Sequence, residues 1–151
     1  EFLLSGPTVT PGYWRNEKET ANAIVDGWFH TGDLMIKDKD GFYFVVDRIK
    51  NMYISGGENV YPAEVEHIIA KHPYVNDVAI VGVPDEKWGE TGKAFIVLEP
   101  GKSLSEQEIT NYCLNKLAKY KVPKHVQFME ELPQNDAGKI DRKKLKKNEF
   151  E

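Results

Sequence analysis

Apolar residues fall along this chain in two textures. Through the first third they come in short runs separated by turn formers. Thr10-Pro11-Gly12 is a turn signal, and residues 17–24 fit one short helix. Residues 34–37 and 42–47 flank Asp38-Lys39-Asp40-Gly41 as the arms of a β-hairpin. Phe42-Tyr43-Phe44-Val45-Val46 consists wholly of residues that favour extended chain. Beyond Arg48-Ile49-Lys50 the texture changes. Ser55-Gly56-Gly57-Glu58-Asn59 reads as a tight, permissive loop. A helix follows, with Pro62 in its first turn, Glu64 and Glu66 near its N-terminus, and Lys71 and His72 at its C-terminus. Val65, Ile68 and Ile69 form its apolar stripe, and Pro73 stops it. Residues 78–83 and 94–98 are apolar, β-rich runs that read as sheet strands. Ser105-x-x-Glu108 is a capping-box signature opening a second helix, whose buried face is Ile109, Tyr112, Cys113 and Leu117. Residues 126–129 read as a last strand, 133–142 as a loop and 143–147 as a short basic helix.

From residue 51 onward the order is therefore β, α, β, β, α, β, α. That order predicts a small α+β domain, a short sheet packed by helices. Residues 1–47 predict hairpins that need another sheet to pack on.

Composition narrows the classes. The chain has 151 residues, 40% hydrophobic and 29% charged, with a net charge of −4. Those fractions suit a globular domain and exclude a wholly disordered chain. No apolar run approaches the length of a membrane helix, and Glu1-Phe2-Leu3-Leu4 lacks the basic start and apolar core of a signal peptide. A single cysteine excludes an internal disulfide framework and suits a reducing, cytoplasmic compartment. The chain begins at Glu1, and Phe2-Leu3-Leu4 already has the look of mid-strand, so the expectation is a piece of something longer. Charge is uneven: residues 1–90 carry 15 acids against 8 bases, net −7, and residues 116–151 carry 6 against 10, net +4.

Candidate chemistry is sparse on spacing alone. His30, His67, His72 and His125 are scattered, and His67 and His72 are one residue too far apart to share a helix face as metal ligands. No metal site is expected. Cys113 faces the core of its helix and reads as packing. Ser55-Gly56-Gly57 lets backbone N–H groups approach an anionic or extended ligand, but no Gly-Lys-Ser/Thr follows to make a phosphate loop. Lys139 sits in the turn Asn135-Asp136-Ala137-Gly138-Lys139, a cation that a loop can deliver to a phosphate or carboxylate. The basic tail, Arg142-Lys143-Lys144 with Lys146-Lys147, lacks interleaved aromatics and reads as a solvated helix face, with no nucleic acid expected.

Four segments, in order, resemble the C-terminal end of the acyl-adenylate-forming superfamily, which includes acyl-CoA synthetases, luciferase and peptide-synthetase adenylation domains. They are Gly6-Pro7 with Gly12-Tyr13-Trp14; Gly27-Trp28-Phe29-His30-Thr31-Gly32-Asp33-Leu34; the run from Asp47-Arg48-Ile49-Lys50 through Ser55-Gly56-Gly57-Glu58-Asn59-Val60-Tyr61-Pro62-Ala63-Glu64-Val65-Glu66; and Pro133 with Gly138-Lys139-Ile140-Asp141-Arg142. The last two are the most specific.

The resemblance implies an organisation. Residues 1–47 correspond to the last strip of a large N-terminal, ATP-binding domain, 48–50 to a hinge, and 51–151 to the small C-terminal domain. It also implies an activity, an AMP-forming acyl-CoA ligase. A carboxylic or fatty acid attacks the α-phosphate of ATP, giving acyl-AMP and pyrophosphate, and coenzyme A then takes the acyl group. Asp33 matches the residue that holds the ATP ribose hydroxyls and Arg48 an arginine near the same ribose. Lys50 matches the hinge position. Lys139 matches the lysine bridging the substrate carboxylate and the α-phosphoryl oxygens. Ser55, Gly56 and Gly57 match the loop that faces the pantetheine arm of coenzyme A. ATP enters with Mg, bound mainly by the large domain, which is the implied partner. The phosphate loop and acyl pocket have no counterpart here, so the fragment alone is expected to be inactive, and oligomerisation stays open. The post-hinge run is most like fatty-acid, aryl-acid and succinylbenzoate CoA ligases. Ile54 stands near where luciferase has a lysine, which counts against an oxidative second half. Two alternatives remain: another adenylating enzyme such as an aryl-acid or succinylbenzoate CoA ligase, and a stand-alone, non-catalytic binding or regulatory module of the same fold.

Overall fold

A computed structural model describes residues 1–147. The chain divides into two compact units, Glu1–Lys50 and Asn51–Glu151.

The first unit holds two small sheets. Strands β1 (Leu3–Leu4), β2 (Ile24–Val25) and β3 (Trp28–His30) form one, in the order β1-β3-β2, with helix α1 (Glu17–Ala23) before β2. Asn16 caps α1, its side-chain oxygen accepting from Glu19 N at 3.2 Å. Strands β4 (Asp33–Lys37) and β5 (Tyr43–Arg48) form the expected hairpin, with a bulge between Leu34 and Met35. Asp38 organises its turn by accepting from the backbone N–H groups of Asp40 and Phe42, each at 2.9 Å. The unit buries little. Phe42, just before β5, and Tyr43, Phe44 and Val45 on it are all more than half exposed, and because the last three are consecutive they are exposed on both faces of β5.

The second unit has the expected α+β architecture. A five-stranded sheet is built on β9 (Gly89–Leu98), with β8 (Val75–Asp85) antiparallel along one side. On the other side lie β10 (His125–Met129), parallel to β9, and β6 (Tyr53–Ser55), joined at Ser55–Gly89 and followed outward by β7 (Glu58–Val60). Alternation along β8 and β9 sends Val78, Ile80, Ala94 and Ile96 to one face and Ala79, Val81, Phe95 and Val97 to the other. The first face packs against α2 (Pro62–Ile69) through Val65 and Ile69, and against α3 (Glu106–Leu114) through Ile109 and Cys113. The second packs against Leu145 of α4 (Arg142–Lys147). The Ser105–Glu108 capping box forms as the sequence indicates.

Three readings change. Ser55 and Glu58-Asn59 are not loop: they belong to β6 and β7, so the domain order gains a strand and only Gly56-Gly57 remains as the turn. Strands β8 and β9 extend well beyond their apolar runs, because Pro84 and Asp85 on β8 and Gly89, Glu90, Thr91, Gly92 and Lys93 on β9 continue the ladder that the side-chain pattern hid. Tyr112 and Leu117 are half-buried rather than core, since Tyr112 turns its ring toward His72 and Lys116. Two glycines explain themselves in space. Gly82 and Gly92 are cross-strand partners, and the Tyr53 side chain lies over both, where a Cβ on either would collide with it.

Candidate functional site

In the first unit, Asp33 opens β4 and Arg48 closes β5, so the ladder makes them direct cross-strand partners. Arg48 Nε meets Asp33 Oδ1 at 2.5 Å, with the side chains 49% and 25% exposed. The pair is a carboxylate and a guanidinium held together at one end of a hairpin, in reach of solvent. The Arg48 N–H donates to the buried Asp47 carboxylate at 2.6 Å, and the Ile49 N–H to Gly32 O at 2.9 Å, which fixes the strand end on both sides of Arg48. Lys50 follows at once, exposed, in the 3₁₀ turn Ile49–Asn51.

In the second unit, Ser55, Gly56 and Gly57 separate into three environments. Ser55 is 3% exposed. Gly56 and Gly57 are the central residues of a two-residue hairpin, with φ of 61° and 87°, the pair of positive values a type I′ turn requires. Gly56 is packed. Its N–H donates to Trp88 O at 2.9 Å, and a Cβ there would run into the Trp88 ring. Gly57 is open, with nothing within 4 Å of where a Cβ would stand. The loop face free to meet a ligand is therefore that of Gly57.

Sequence reasoning missed Trp88. It sits in the β8–β9 turn, held by Asp85, whose Oδ1 accepts from the N–H groups of Lys87 and Trp88 at 3.0 and 2.9 Å. Lys124 Nζ reaches Asp85 Oδ2 at 2.8 Å. The Lys87 and Lys124 ammonium groups lie 5.1 and 5.5 Å from the ring centroid. The Lys124 hydrogen bond, helped by the Trp88 N–H, holds the Asp85 carboxyl below the usual carboxylate range. The available signal was a tryptophan between Lys87 and Gly89 at a hairpin turn, which only the fold connects to Gly56.

Lys139 lies exposed in a turn built by Asn135. The Asn135 side-chain oxygen accepts from the N–H groups of Ala137 and Lys139 at 3.0 and 3.1 Å, and Asn135 N donates to Lys139 O at 2.8 Å. Gly138, at φ 72°, makes the reversal. The base of the turn is closed by the Gln134–Ile140 bridge and by Asp141 N donating to Pro133 O at 2.7 Å. The result is a cation presented from a backbone that is hydrogen-bonded on both sides.

The structure thus brings Asp33 and Arg48 together and sets Lys50 just after them. Within the second unit it puts Ser55-Gly56-Gly57 and Lys139 on separate turns. Cys113 is fully buried, and burial pushes its thiol up to about 11, which leaves it a packing residue. Among the described residues no group of three or more His, Cys, Asp or Glu is placed to hold a metal ion, and no helix is long and apolar enough to cross a membrane.

Comparison with known proteins gives consistent findings. A 2-succinylbenzoate–CoA ligase of Listeria monocytogenes is 49% identical over 97% of this chain, which spans 31% of that protein's length. Among solved structures, a fatty acyl CoA synthetase of Mycobacterium tuberculosis aligns with a TM-score of 0.69 at 44% identity, over 97% of this chain and 29% of its own. An o-succinylbenzoate CoA synthetase of Bacillus subtilis, in complex with its acyl-adenylate intermediate, aligns with a TM-score of 0.88 at 41% identity, over 95% of this chain and 29% of its own. The family profile of the AMP-binding enzyme C-terminal domain matches residues 64–139, from within α2 to Lys139 itself. The chain belongs to the AMP-binding enzyme C-terminal domain family.

Proposed function

We propose that this chain is the C-terminal portion of an ATP-dependent, AMP-forming acyl-CoA ligase, an acid–thiol ligase that works through an acyl-adenylate. The observation that carries the reading is the 49% identity to a CoA ligase across 97% of the chain, which takes in both compact units. In this reading residues 1–47 are the last strip of a large ATP-binding domain, 48–50 the hinge and 51–151 the small domain, and the large domain is the principal partner.

The chemistry assigns each group a task. In the first half, a carboxylate oxygen of the acid attacks the α-phosphorus of ATP and the bond to pyrophosphate breaks. Lys139 bridges the acid and the α-phosphoryl oxygens, offsetting the negative charge that gathers there and holding the nucleophile in line. Asp33 accepts hydrogen bonds from the ribose hydroxyls, and Arg48, already against Asp33, orients that carboxylate. In the second half, the coenzyme A sulfur attacks the acyl carbon and AMP leaves. Lys50 is the position at which backbone rotation exchanges the two domain poses. In the Ser55-Gly56-Gly57 loop that faces the pantetheine arm, the open side of Gly57 meets the arm, and the buried Ser55 and packed Gly56 hold the turn that presents it. Magnesium bound with ATP would neutralise charge on its phosphates and would be held mainly by groups of the large domain. A reducing, cytoplasmic setting suits the single, buried Cys113.

The acid is a carboxylic acid. Within that class the Listeria relative, named for succinylbenzoate, favours an aryl acid over a fatty acid.

The test is a pair of half-reactions in the full-length protein that contains this chain. Lys139→Ala is expected to abolish acid-dependent pyrophosphate exchange while sparing thioester formation from supplied acyl-adenylate. Pyrophosphate exchange at the wild-type rate would overturn the role of Lys139.

A further inference from the structure

The two most specific signature segments, which the sequence presents more than seventy residues apart, meet at their last residues. Arg142 Nη2 lies 2.5 Å from Glu66 Oε1, with the side chains 26% and 17% exposed. The same Oε1 accepts from the Ile80 N–H at 2.8 Å. Among the described residues strand β8 pairs with β9 alone, so Ile80 offers that N–H from the open edge of the sheet. Glu66 comes from α2, packed on one face of the sheet, and Arg142 opens α4, packed on the other. The ion pair therefore closes around the edge of β8.

We propose that Glu66 and Arg142 are positioning residues for Lys139, fixing the turn that carries it to the sheet edge and to α2. The proposal rests on the role given to Lys139 above. Only Ile140 and Asp141 separate Lys139 from Arg142, and both are tied down. Ile140 packs on the second core face, and Asp141 Oδ1 accepts from the N–H groups of Lys143 and Lys144 at 3.1 and 3.2 Å. The anchor sets where α4 begins, and α4 sets where the Lys139 turn ends.

Energetics favour positioning over stability. A half-buried ion pair does little better than apolar residues of similar size, because desolvation cancels most of the attraction. This one carries a further cost: among the described residues Arg142 Nε is buried with no hydrogen-bond partner. What the pair supplies is a fixed geometry, through a planar guanidinium against a carboxylate already oriented by a backbone N–H.

The experiment uses the full-length protein containing this chain, with Glu66→Gln, Arg142→Met, Arg142→Lys and, as reference, Lys139→Ala. Glu66→Gln keeps one acceptor oxygen for Ile80 N while removing the charge and turning the other oxygen into an NH2 donor, so it stands if Arg142→Met fails to fold. Expected is a fall of about tenfold or more in kcat for pyrophosphate exchange in Glu66→Gln and Arg142→Met, the cost of a misplaced reacting group. Arg142→Lys should fall between these and wild type. Thioester formation from supplied acyl-adenylate should stay at the wild-type rate in all of them. Equal losses in both half-reactions would mean a merely structural role and overturn the proposal. So would unchanged pyrophosphate exchange alongside its loss in Lys139→Ala. Unchanged exchange in Lys139→Ala itself would instead overturn the parent role of Lys139, and this proposal with it.

Discussion

The Trp88 ring rests on Gly56, in the space a β-carbon would take, while the next residue, Gly57, faces open solvent. Two adjacent glycines therefore answer to different constraints. Both have positive φ, which costs any other residue about 1–2 kcal/mol. Only Gly56 adds a steric collision. Gly57→Ala is expected to lower stability by about 1 kcal/mol, and Gly56→Ala by clearly more. In a Trp88→Ala background the excess for Gly56→Ala should vanish. Urea denaturation of the four variants forms a double-mutant cycle, and a coupling of zero would show that ring and glycine do not constrain each other.

Tyr53 fills the notch over Gly82 and Gly92 yet leaves its hydroxyl, among the described residues, buried without a partner. Tyr53→Phe removes an unsatisfied polar atom and keeps the ring, so stability should be unchanged or rise by up to about 1 kcal/mol. Gly82→Ala and Gly92→Ala should cost about 1–3 kcal/mol through overpacking. Burial, and secondarily the Glu90 charge, drive the Tyr53 phenol well above its ordinary value of 10.0. A group raised in the folded state stabilises fully below its unfolded pKa and loses that contribution as pH climbs past it. Wild type should therefore lose stability above about pH 10 more steeply than Tyr53→Phe. Chemical denaturation across that range checks it.

Much of this was legible in the sequence, for physical reasons that differ by element. The β4–β5 hairpin announces itself through Asp38 and Gly41, residues whose turn chemistry is local. The Ser105 capping box is likewise a four-residue event. Strand β9 starts earlier than its apolar run indicates because Gly89 and Gly92 look like breakers, and it is Tyr53, some forty residues upstream of Gly92, whose phenol leaves no room there for a side chain. Glu66 read as a helix-dipole residue, whereas its carboxylate serves Ile80 and Arg142 on other elements. Lys139 and the Ser55-Gly56-Gly57 turn stood out by resemblance alone; spacing gave no reason to prefer them to any exposed lysine or turn.

Asp85 links acid sensitivity to the Trp88 turn. The Lys124 hydrogen bond, then that of the Trp88 N–H, lowers its pKa. A depressed carboxylate stabilises above its unfolded pKa and loses that contribution as pH falls through the folded one. Lys124→Met should raise the Asp85 pKa toward its ordinary value and make the turn loosen at a higher pH on acidification. Side-chain carboxyl NMR titration of Asp85, with Trp88 fluorescence as the readout of the turn, measures both.

Strand β5 and the core of the second unit should differ sharply in protection in the isolated 151-residue chain. Amide protection follows burial and cooperative packing, and local opening is cheap where few apolar groups are covered. On β5, Tyr43, Phe44 and Val45 are all more than half exposed, as is Phe42 just before it, so opening that hairpin uncovers little that water does not already reach. On β8 and β9, Ala79, Ile80, Val81, Ala94, Phe95 and Ile96 are all at most 1% exposed, and opening uncovers the whole core. Hydrogen exchange should therefore show the amides of residues 43–48 exchanging by local opening, at rates insensitive to substitutions such as Gly82→Ala. Those of residues 78–83 and 93–97 should exchange only with global unfolding and accelerate in step with the loss of stability in that variant. Equal protection in the two sets would mean that the exposed residues of β5 are covered in solution, as by a second copy of the chain, and a concentration dependence of the exchange rate would reveal it.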